Sequence, residues 1–338
     1  MEKILFLIPR GIKVGQPSFE RITTFKEYYK ESGYCINEVY VPNTFSEKLR
    51  LFVYIFKYRY KYVFISMPPF SNWWLFLLPF IKIILDVRDG WSIAMKTGYG
   101  GMARPNKLKA FIGQLIERQA LKLAYRRITC TPGLVGYLQQ LSNVNLTYIP
   151  NGISRVDYDV VSKIKKKIVH KNDIKENEFI LCCAGQFSEY GKEKVINILD
   201  KLYEEANRTK YNIVIQLIGS SMDRNDWIKC YLLNKNYNNI TIQILPRMEK
   251  MEMYEVILKA DMCLTVVRDP DYEFGTKVFD YILCGKYIFN YFDNENNFLL
   301  EFDHVMSSSL TRNSLEGVNT SELRRDLIIN SKSREITL

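Results

Sequence analysis

Short apolar runs alternate with helix-period segments along most of the chain. Short runs that are mostly apolar are typical of strands buried on both faces. They occur at residues 4–8, 62–66, 82–87, 127–130 and 146–149, and again at 179–184, 213–218, 240–245 and 262–267. Apolar residues spaced three and four apart predict helices between these runs, the longest at 106–125 and 192–207. Strands that alternate with helices predict parallel sheets, because each parallel connection needs a crossover of about this length.

The alternation is interrupted once, in a polar, lysine-rich stretch at 155–175. A chain of 338 residues accommodates two domains of roughly 150 residues each. We therefore predict an α/β protein with two Rossmann-like domains whose parallel sheets face each other across a cleft, with ligands at the carboxyl ends of the strands. The predicted ranges are a first domain at 1–155, a basic linker at 156–177, a second domain at 178–305 and a C-terminal tail at 306–338.

One segment is apolar enough to raise the question of a membrane span. Residues 62–85 carry Lys82 as their only charge, and their length suits a bilayer. Pro68, Pro69 and Pro79 interrupt the segment, however. We interpret it instead as a strand at 62–66, a loop, a short buried helix at Trp73–Phe80 and a second strand at 82–87. The apolar run at the N-terminus is too short for a signal peptide.

Composition narrows the classes of partner and site. The formal net charge is +10, which favours phosphates, nucleic acid or anionic lipid as partners. Two histidines make a multi-histidine metal site close to excluded. The seven cysteines form no CxxC pair, so we expect neither a zinc site nor disulfides, and a cytoplasmic location.

Two places in the first half are candidates for chemistry. The loop after the first strand contains Gly11 and Gly15, where backbone N–H groups can approach an anion, although the spacing of these glycines favours a plain turn. Asp86, Arg88 and Asp89 lie at the end of a buried strand. Charged side chains at such a position either pair with each other or face the cleft. An Asp–Arg pair that fixes a loop and a functional site are therefore the two explanations.

The second half has a stronger candidate. Gly275, Thr276 and Lys277 open a helix after a strand, which suits a diphosphate. Asp280 lies one turn further on, where a carboxylate can accept hydrogen bonds from ribose hydroxyls. Gly185 ends another strand and Lys192 opens the helix that follows it. Lys192 suits a phosphate, but a solvated helix face would have the same sequence.

Five segments in this order resemble motifs of GT-B-fold glycosyltransferases, in particular glycosyltransferase family 4. They are Asp86–Trp91, Ile149–Ile153, Ala184–Ser188, Lys259–Leu264 and Gly275–Lys286. The resemblance covers roughly residues 1–305 and implies the GT-B fold, with an acceptor-side first domain and a nucleotide-sugar-binding second domain. It also implies sugar transfer from a nucleotide-sugar, with retention of configuration and without a metal or other cofactor.

The resemblance assigns roles by position. Asp280 takes the place of a ribose-binding glutamate, and Gly275, Thr276 and Lys277 lie near the diphosphate. The other residues that it places at the nucleotide-sugar are Gly15, Gly185, Lys192 and Arg247. Arg88 and Asp89 occupy the loop that faces the sugar and are the predicted catalytic residues.

Three features depart from the family pattern. Tyr272 stands where many relatives have a glutamate, although Glu273 is adjacent, and Gln186 stands where an arginine is expected. The family's terminal helix, which crosses back to the first domain, is shortened within the tail at 306–338. The first two departures bear on catalytic competence.

A further segment, residues 48–62, combines apolar and basic side chains. Leu49, Phe52, Val53, Phe56 and Tyr60 share one helical face. A basic amphipathic helix with aromatic residues suits an anionic membrane interface. A surface helix packed on the sheet explains the same pattern.

The sequence thus favours a cytoplasmic glycosyltransferase, peripheral at the inner face of the cell membrane, that acts in bacterial surface polysaccharide biosynthesis. We expect a UDP-sugar donor and a glycan or lipid-linked glycan acceptor. A non-catalytic scaffold or partner subunit of the same fold and a nucleotide-sugar epimerase are the alternatives. Nucleic acid is not an expected partner, because no recognition motif accompanies the charge.

Overall fold

The structure is a computed structural model. It describes residues 2–12, 16–67, 70–97, 105–168, 177–185, 187–267, 269, 271–272, 274–289, 297–310 and 319–338. The chain divides into two compact units. The first unit comprises Met1–Asn151 together with Arg325–Leu338, and the second comprises Gly152–Arg324.

The first unit is built on a six-stranded parallel sheet. Its strands are β1 (Lys3–Ile8), β2 (Cys35–Tyr40), β3 (Tyr62–Met67), β4 (Lys82–Val87), β5 (Arg126–Thr129) and β6 (Thr147–Tyr148), in the order β2-β1-β3-β4-β5-β6. β3 and β4 are buried along almost their whole length. Continuous apolar runs form such strands because helices cover both faces of a parallel sheet.

Helices α1 (Pro17–Glu31), α2 (Phe45–Lys57), α3 (Trp91–Thr97), α4 (Lys107–Leu123) and α5 (Pro132–Ser142) connect these strands, with a short helical segment, Phe70–Leu77, between β3 and β4. Thr44 and Glu47 form a reciprocal capping box at the start of α2, which fixes its first residue. The N-terminus of α1 has no side-chain cap from Gln16. Ser18, in the first turn of this helix, contacts Arg88.

The C-terminal residues belong to the first unit. Helices α12 (Arg325–Ser331) and α13 (Ser333–Ile336) pack beside α1, with Ile329 and Ile336 fully buried in its core. The Tyr29 hydroxyl donates to the Ile336 carbonyl at 3.0 Å. The predicted tail at 306–338 therefore contains a return segment that is integrated into the first unit.

The second unit has its own six-stranded parallel sheet. Its strands are β7 (Glu178–Ala184), β8 (Asn212–Ile218), β9 (Ile240–Leu245), β10 (Met262–Leu264), β11 (Ile288–Phe289) and β12 (Met306–Ser307), in the order β12-β11-β10-β7-β8-β9. Its helices are α6 (Arg155–Ile168), α7 (Lys192–Thr209), α8 (Met222–Asn234), α9 (Lys250–Lys259), α10 (Lys277–Leu283) and α11 (Asn297–Phe302).

The region predicted as a basic linker is structured over much of its length. Residues 155–168 form α6, which packs on α9 inside the second unit, while 169–176 lie outside the described residues. Lys165 is not a solvated charge, because its ammonium donates to the Leu283 carbonyl at the end of α10 at 2.9 Å. Burial lowers the pKa of this lysine.

The segment at 70–77 differs from the buried helix predicted at Trp73–Phe80. It ends at Leu77, buries Leu75 and Phe76, and leaves Trp73 and Phe80 exposed. Apolar content alone does not show which face of so short a segment meets the sheet. Among the described helices, none has the length and apolarity needed to cross a membrane.

Candidate functional site

The carboxyl edge of the second sheet has a topological switch point between β10 and β7. From β7 the chain adds β8 and β9 on one side, and β10, β11 and β12 on the other. Connections leave β7 and β10 toward opposite sides, so a crevice forms beyond their carboxyl ends. Ligands of open α/β sheets bind in such a crevice.

Tyr281 attaches α10 to this switch point. Its hydroxyl accepts a hydrogen bond from the Ala184 backbone N–H, at the end of β7, at 2.8 Å. It also lies 3.4 Å from the Leu264 carbonyl, at the end of β10. The side chain is almost fully buried, and burial raises its pKa well above the ordinary range. Tyr281 therefore attaches α10 beside the crevice.

The first turn of α10 presents the two charged residues predicted from sequence. Lys277 Nζ lies 3.0 Å from Asp280 Oδ2, and both side chains remain partly exposed. The Tyr254 hydroxyl, from α9, donates to Asp280 Oδ1 at 2.9 Å. The Asp280 carboxylate is thus oriented from two sides, with its remaining lone pairs available to a ligand hydroxyl.

A polar network extends from this carboxylate to α6. Tyr254 is fully buried, and its pKa is raised by burial and by the negative charges of Asp280 and Asp157. Asp157 accepts from Lys250 and from the Ser154 hydroxyl at 2.6 Å. Protonated Tyr254 thus lies between two carboxylates, and this arrangement fixes the position of Asp280.

Glycines leave space around this site. Gly185 follows β7 with φ of +118°, and a Cβ built there meets nothing within 4 Å. Gly219, after β8, has φ of +75° and the same open surroundings. Gly275 is exposed, and Thr276 is the residue that precedes α10. These backbone positions allow a ligand to approach closely.

Two other predicted donor-site residues lie on the surface of the second unit. Lys192 is exposed at the start of α7, with Nζ 5.1 Å from the centre of the Trp227 ring. Arg247 is exposed in the loop after β9. Lys194, two residues beyond Lys192, donates instead to the Val267 carbonyl at 3.1 Å. Lys194 thus contacts the chain beyond β10.

The charges at the carboxyl end of β4 in the first unit have separate roles. Asp86 is fully buried and pairs with Arg21 of α1, with Nη2 2.7 Å from Oδ1. Ser66, its neighbour on β3, donates to Oδ2 at 3.0 Å. Arg21 also donates to the Ile149 carbonyl at 2.8 Å. The Asp–Arg pair considered from sequence therefore exists, but its arginine is Arg21.

The two predicted catalytic residues follow Asp86 and are half-buried. Arg88 donates from its guanidinium to the Ser18 hydroxyl, and its backbone N–H donates to the Met67 carbonyl at 2.9 Å. Asp89 comes next, before α3. This places both residues at the carboxyl edge of the first sheet. Gly15, Gln186 and Glu273 lie outside the described residues.

Thiol chemistry has little support at the described site. Cys182 and Cys284 are buried near α10, and burial raises the pKa of each thiol to about 12. A thiol with such a pKa is a poor nucleophile at neutral pH. Among the described residues, no group of three or more metal-ligating side chains is clustered.

Sequence reasoning missed Tyr254, Tyr281 and Arg21. Tyr281 is next to Asp280 in the chain, but because the residues around it are apolar, the helical pattern predicts only that it is buried in the core. Tyr254 and Arg21 meet their carboxylates only through tertiary packing, 26 and 65 residues away. Arg21 follows Glu20 in a helix with several other charges, so its burial has no signal in the sequence.

We expect Tyr281→Phe to destabilise the protein by about 1–3 kcal/mol, because the buried Ala184 N–H would lose its acceptor. Urea denaturation measures the change. Tyr40→Phe, at an exposed tyrosine, is the matched control and should change the free energy of unfolding by less than about 0.5 kcal/mol. Equal effects of the two substitutions would contradict the assigned role of Tyr281.

By sequence, neither a protein-family model nor a curated protein matches the chain. By structure, it resembles sucrose-phosphate synthase of Thermosynechococcus elongatus (TM-score 0.60, 13% identity, 86% of this chain and 81% of that one). It also resembles a glycosyltransferase of Rickettsia africae (TM-score 0.57, 12% identity, 99% and 93%). A third structure is the Anabaena protein HepE in complex with UDP-glucose (TM-score 0.55, 13% identity, 99% and 94%).

These identities show the fold alone. Two six-stranded parallel sheets, each with its own helices, and these structural neighbours agree with the fold predicted from the sequence motifs. The chain has the GT-B fold of two Rossmann-like units.

Proposed function

We propose that this protein is a glycosyltransferase that moves a sugar from a nucleotide-sugar donor to a glycan acceptor. The observation that carries the proposal is the placement of Lys277 and Asp280 at the switch point of the second sheet, where Tyr281 and Tyr254 hold them. The fold supports it, since one structural neighbour is described as a glycosyltransferase and another is in complex with UDP-glucose.

In this proposal the donor's ribose and diphosphate meet the first turn of α10. A carboxylate has about four lone-pair sites, so Asp280 can accept a ribose hydroxyl while it holds Tyr254 and Lys277. An ammonium has three donors, so Lys277 can contact a phosphate oxygen and Asp280 together. As the glycosidic bond to the diphosphate breaks, negative charge grows on the leaving group, and Lys277 stabilises it.

The finer parts of the proposal come from the sequence motifs. They are a UDP-sugar donor, retention of configuration, no metal requirement, and a role in bacterial surface polysaccharide synthesis. Lys192 and Arg247 remain proposed donor contacts. If the reaction needs no metal, sugar transfer measured in excess EDTA should proceed at the untreated rate. Loss of transfer in EDTA and recovery on adding a divalent cation would contradict this part.

Thermal denaturation with a panel of UDP, GDP, ADP, CMP and dTDP tests donor binding. A ligand that binds only the folded state raises the melting temperature by mass action, and we expect a rise with UDP. Lys277→Ala and Asp280→Asn should each weaken binding by about tenfold or more, because each removes a hydrogen bond to or from a charged group. Lys229→Ala, at an exposed lysine of α8, is the control.

The melting temperature of each variant without nucleotide shows whether it still folds. If no nucleotide stabilises the native protein at millimolar concentration, the result supports the non-catalytic scaffold instead. If nucleotides stabilise the Lys277→Ala and Asp280→Asn variants as well as the native protein, the donor site lies elsewhere.

Asp89 and Arg88 are proposed to act in transfer rather than in nucleotide binding. Asp89→Asn is expected to abolish transfer to acceptor while the melting-temperature shift with UDP stays unchanged. Full transfer activity in this variant would remove Asp89 from the proposed machinery.

A further inference from the structure

The outer face of α2 is apolar and exposed. Leu51 and Ile55 face the core, while the opposite face presents Phe45, Leu49 and Phe56, which are 82%, 55% and 69% exposed. A helix packed only on the sheet would carry polar residues on that outer face. Sheet packing therefore explains Leu51 and Ile55 but leaves the outer apolar face unexplained.

The exposed apolar residues of α2 adjoin further apolar residues of the neighbouring segment at 70–77. Phe80, just beyond this segment, packs its ring edge-on against Phe52 and Phe56 of α2, with ring centres 6.2 Å apart in both pairs. Between α2 and the segment lies an apolar groove of about 520 Å³, which Trp73 and Trp74 line on one side. Tryptophan side chains are enriched at interfaces where the apolar part of the ring is buried and the indole N–H contacts water.

Helix α4 adds a third strip of exposed apolar side chains. Its buried residues include Ala110, Gly113 and Leu121, while Leu108 and Phe111 are 69% and 56% exposed. α4 packs against the 70–77 segment. Connections between parallel strands are right-handed, and the order β2-β1-β3-β4-β5 then places α2, this segment and α4 on the same face of the first sheet. We name these three elements the apolar face.

The charges around the apolar face are of one sign. Exposed or half-buried cations on α2 and α4 are Lys48, Arg50, Lys57, Lys107, Lys109, Arg118 and Lys122. The two acids of these helices are both engaged: Glu47 caps α2 and pairs with Arg10, and Glu117 is buried. A second copy of the chain would bring the same cations against each other, at a cost in repulsion. An anionic surface would be complementary.

We propose that the apolar face docks on a lipid bilayer that carries anionic headgroups. Phe45, Leu49, Phe56 and Leu108 enter the interface between headgroups and acyl chains. The surrounding lysines and arginines contact the headgroup phosphates. This surface is wider than the segment at 48–62 indicated by the sequence, and the proposal stands independently of the donor site.

Sedimentation with vesicles tests the proposal on the full chain. We expect binding to vesicles of phosphatidylcholine with phosphatidylglycerol, and much weaker binding to phosphatidylcholine alone. The variant Leu49→Gln/Val53→Gln/Phe56→Gln should bind the anionic vesicles about tenfold or more weakly, because it removes apolar area from the interface. Leu108→Gln/Phe111→Gln should also weaken binding, which tests α4 separately.

The matched control is Val156→Gln/Leu233→Gln/Met251→Gln, which removes three exposed apolar side chains from the second unit and should bind as the native protein does. Three outcomes would overturn the proposal. In the first, the folded native protein fails to bind anionic vesicles. In the second, the α2 variant binds them as well as the native protein does, which would show that charge alone is responsible. In the third, the native protein does not bind vesicles but self-associates, and the α2 variant loses this self-association.

Discussion

Replacing Arg21 by Met is expected to destabilise the protein by about 3–5 kcal/mol, because it leaves the Asp86 carboxylate buried without its partner. Both side chains are fully buried. Arg21 also satisfies the Ile149 and Pro150 carbonyls, at 2.8 and 3.1 Å, and these acceptors would lose their donor as well. Urea denaturation measures the loss.

The same helix offers the matched control. Lys26 of α1 pairs with Glu38 at 2.9 Å, but both side chains are partly exposed. Lys26→Ala should therefore cost less than about 1 kcal/mol. The double variant Arg21→Met/Asp86→Leu should be less destabilised than the sum of its single variants, since no charge remains buried. A loss for Arg21→Met no larger than that for Lys26→Ala would contradict the assigned burial of the pair.

Glu117 is expected to make stability depend on pH. This residue of α4 is buried against Ser92, which donates to it from both its hydroxyl and its backbone N–H. Burial raises the pKa of Glu117 to about 7, against the opposing effect of these hydrogen bonds. In the unfolded chain the pKa is near 4.5, so between these values the folded state binds more protons than the unfolded state.

Because the folded state binds more protons, the free energy of unfolding falls as the pH rises through this range. The favourable contribution of protonated Glu117 is complete below pH 4.5, and it is lost as the pH rises toward 7. The loss amounts to about 3 kcal/mol, from 1.36 kcal/mol per pKa unit. Glu117→Gln keeps the shape without the titration. Its free energy of unfolding relative to the native protein should therefore rise by about this amount from pH 4.5 to pH 8.

Urea denaturation of both proteins across this pH range measures the difference. Glu204→Gln, at an exposed glutamate of α7, is the control and should show a difference that does not change with pH. If the difference for Glu117→Gln is equally flat, Glu117 does not titrate as proposed. Glu117 joins α4 to Ser92 of α3, which begins two residues after Asp89. Its ionisation is therefore expected to loosen the segment that carries the predicted catalytic residues.

The sequence predicted much of the fold because both sheets are parallel and buried. Runs such as Ile4–Ile8 and Phe179–Ala184 are apolar throughout, and only strands covered on both faces need such runs. The helix of Lys277 and Asp280 could be placed because a Gly-Thr-Lys turn follows a strand. β11 and β12 are two residues each, too short to produce a pattern.

The sequence did not predict which side of a surface helix faces the core. The apolar residues of α4 at 108, 111, 112 and 115 share one side of the helix, yet in the structure they are exposed, while Gly113 and Ala120 face the core. Periodicity identifies an apolar side without showing what covers it. The same limit applies to α2, whose outer face at Leu49 and Phe56 resembles a core-facing side.

Hydrogen exchange with and without UDP tests the central claim most directly, namely that a nucleotide binds at the first turn of α10. The account predicts slower amide exchange in peptides that cover residues 275–281 and 184–185, with unchanged exchange in α8 and in the first-unit helix α1. It also predicts that Lys277→Ala reduces this protection at the same UDP concentration. Protection confined to other regions, or unchanged exchange at 275–281 with UDP bound, would contradict the account.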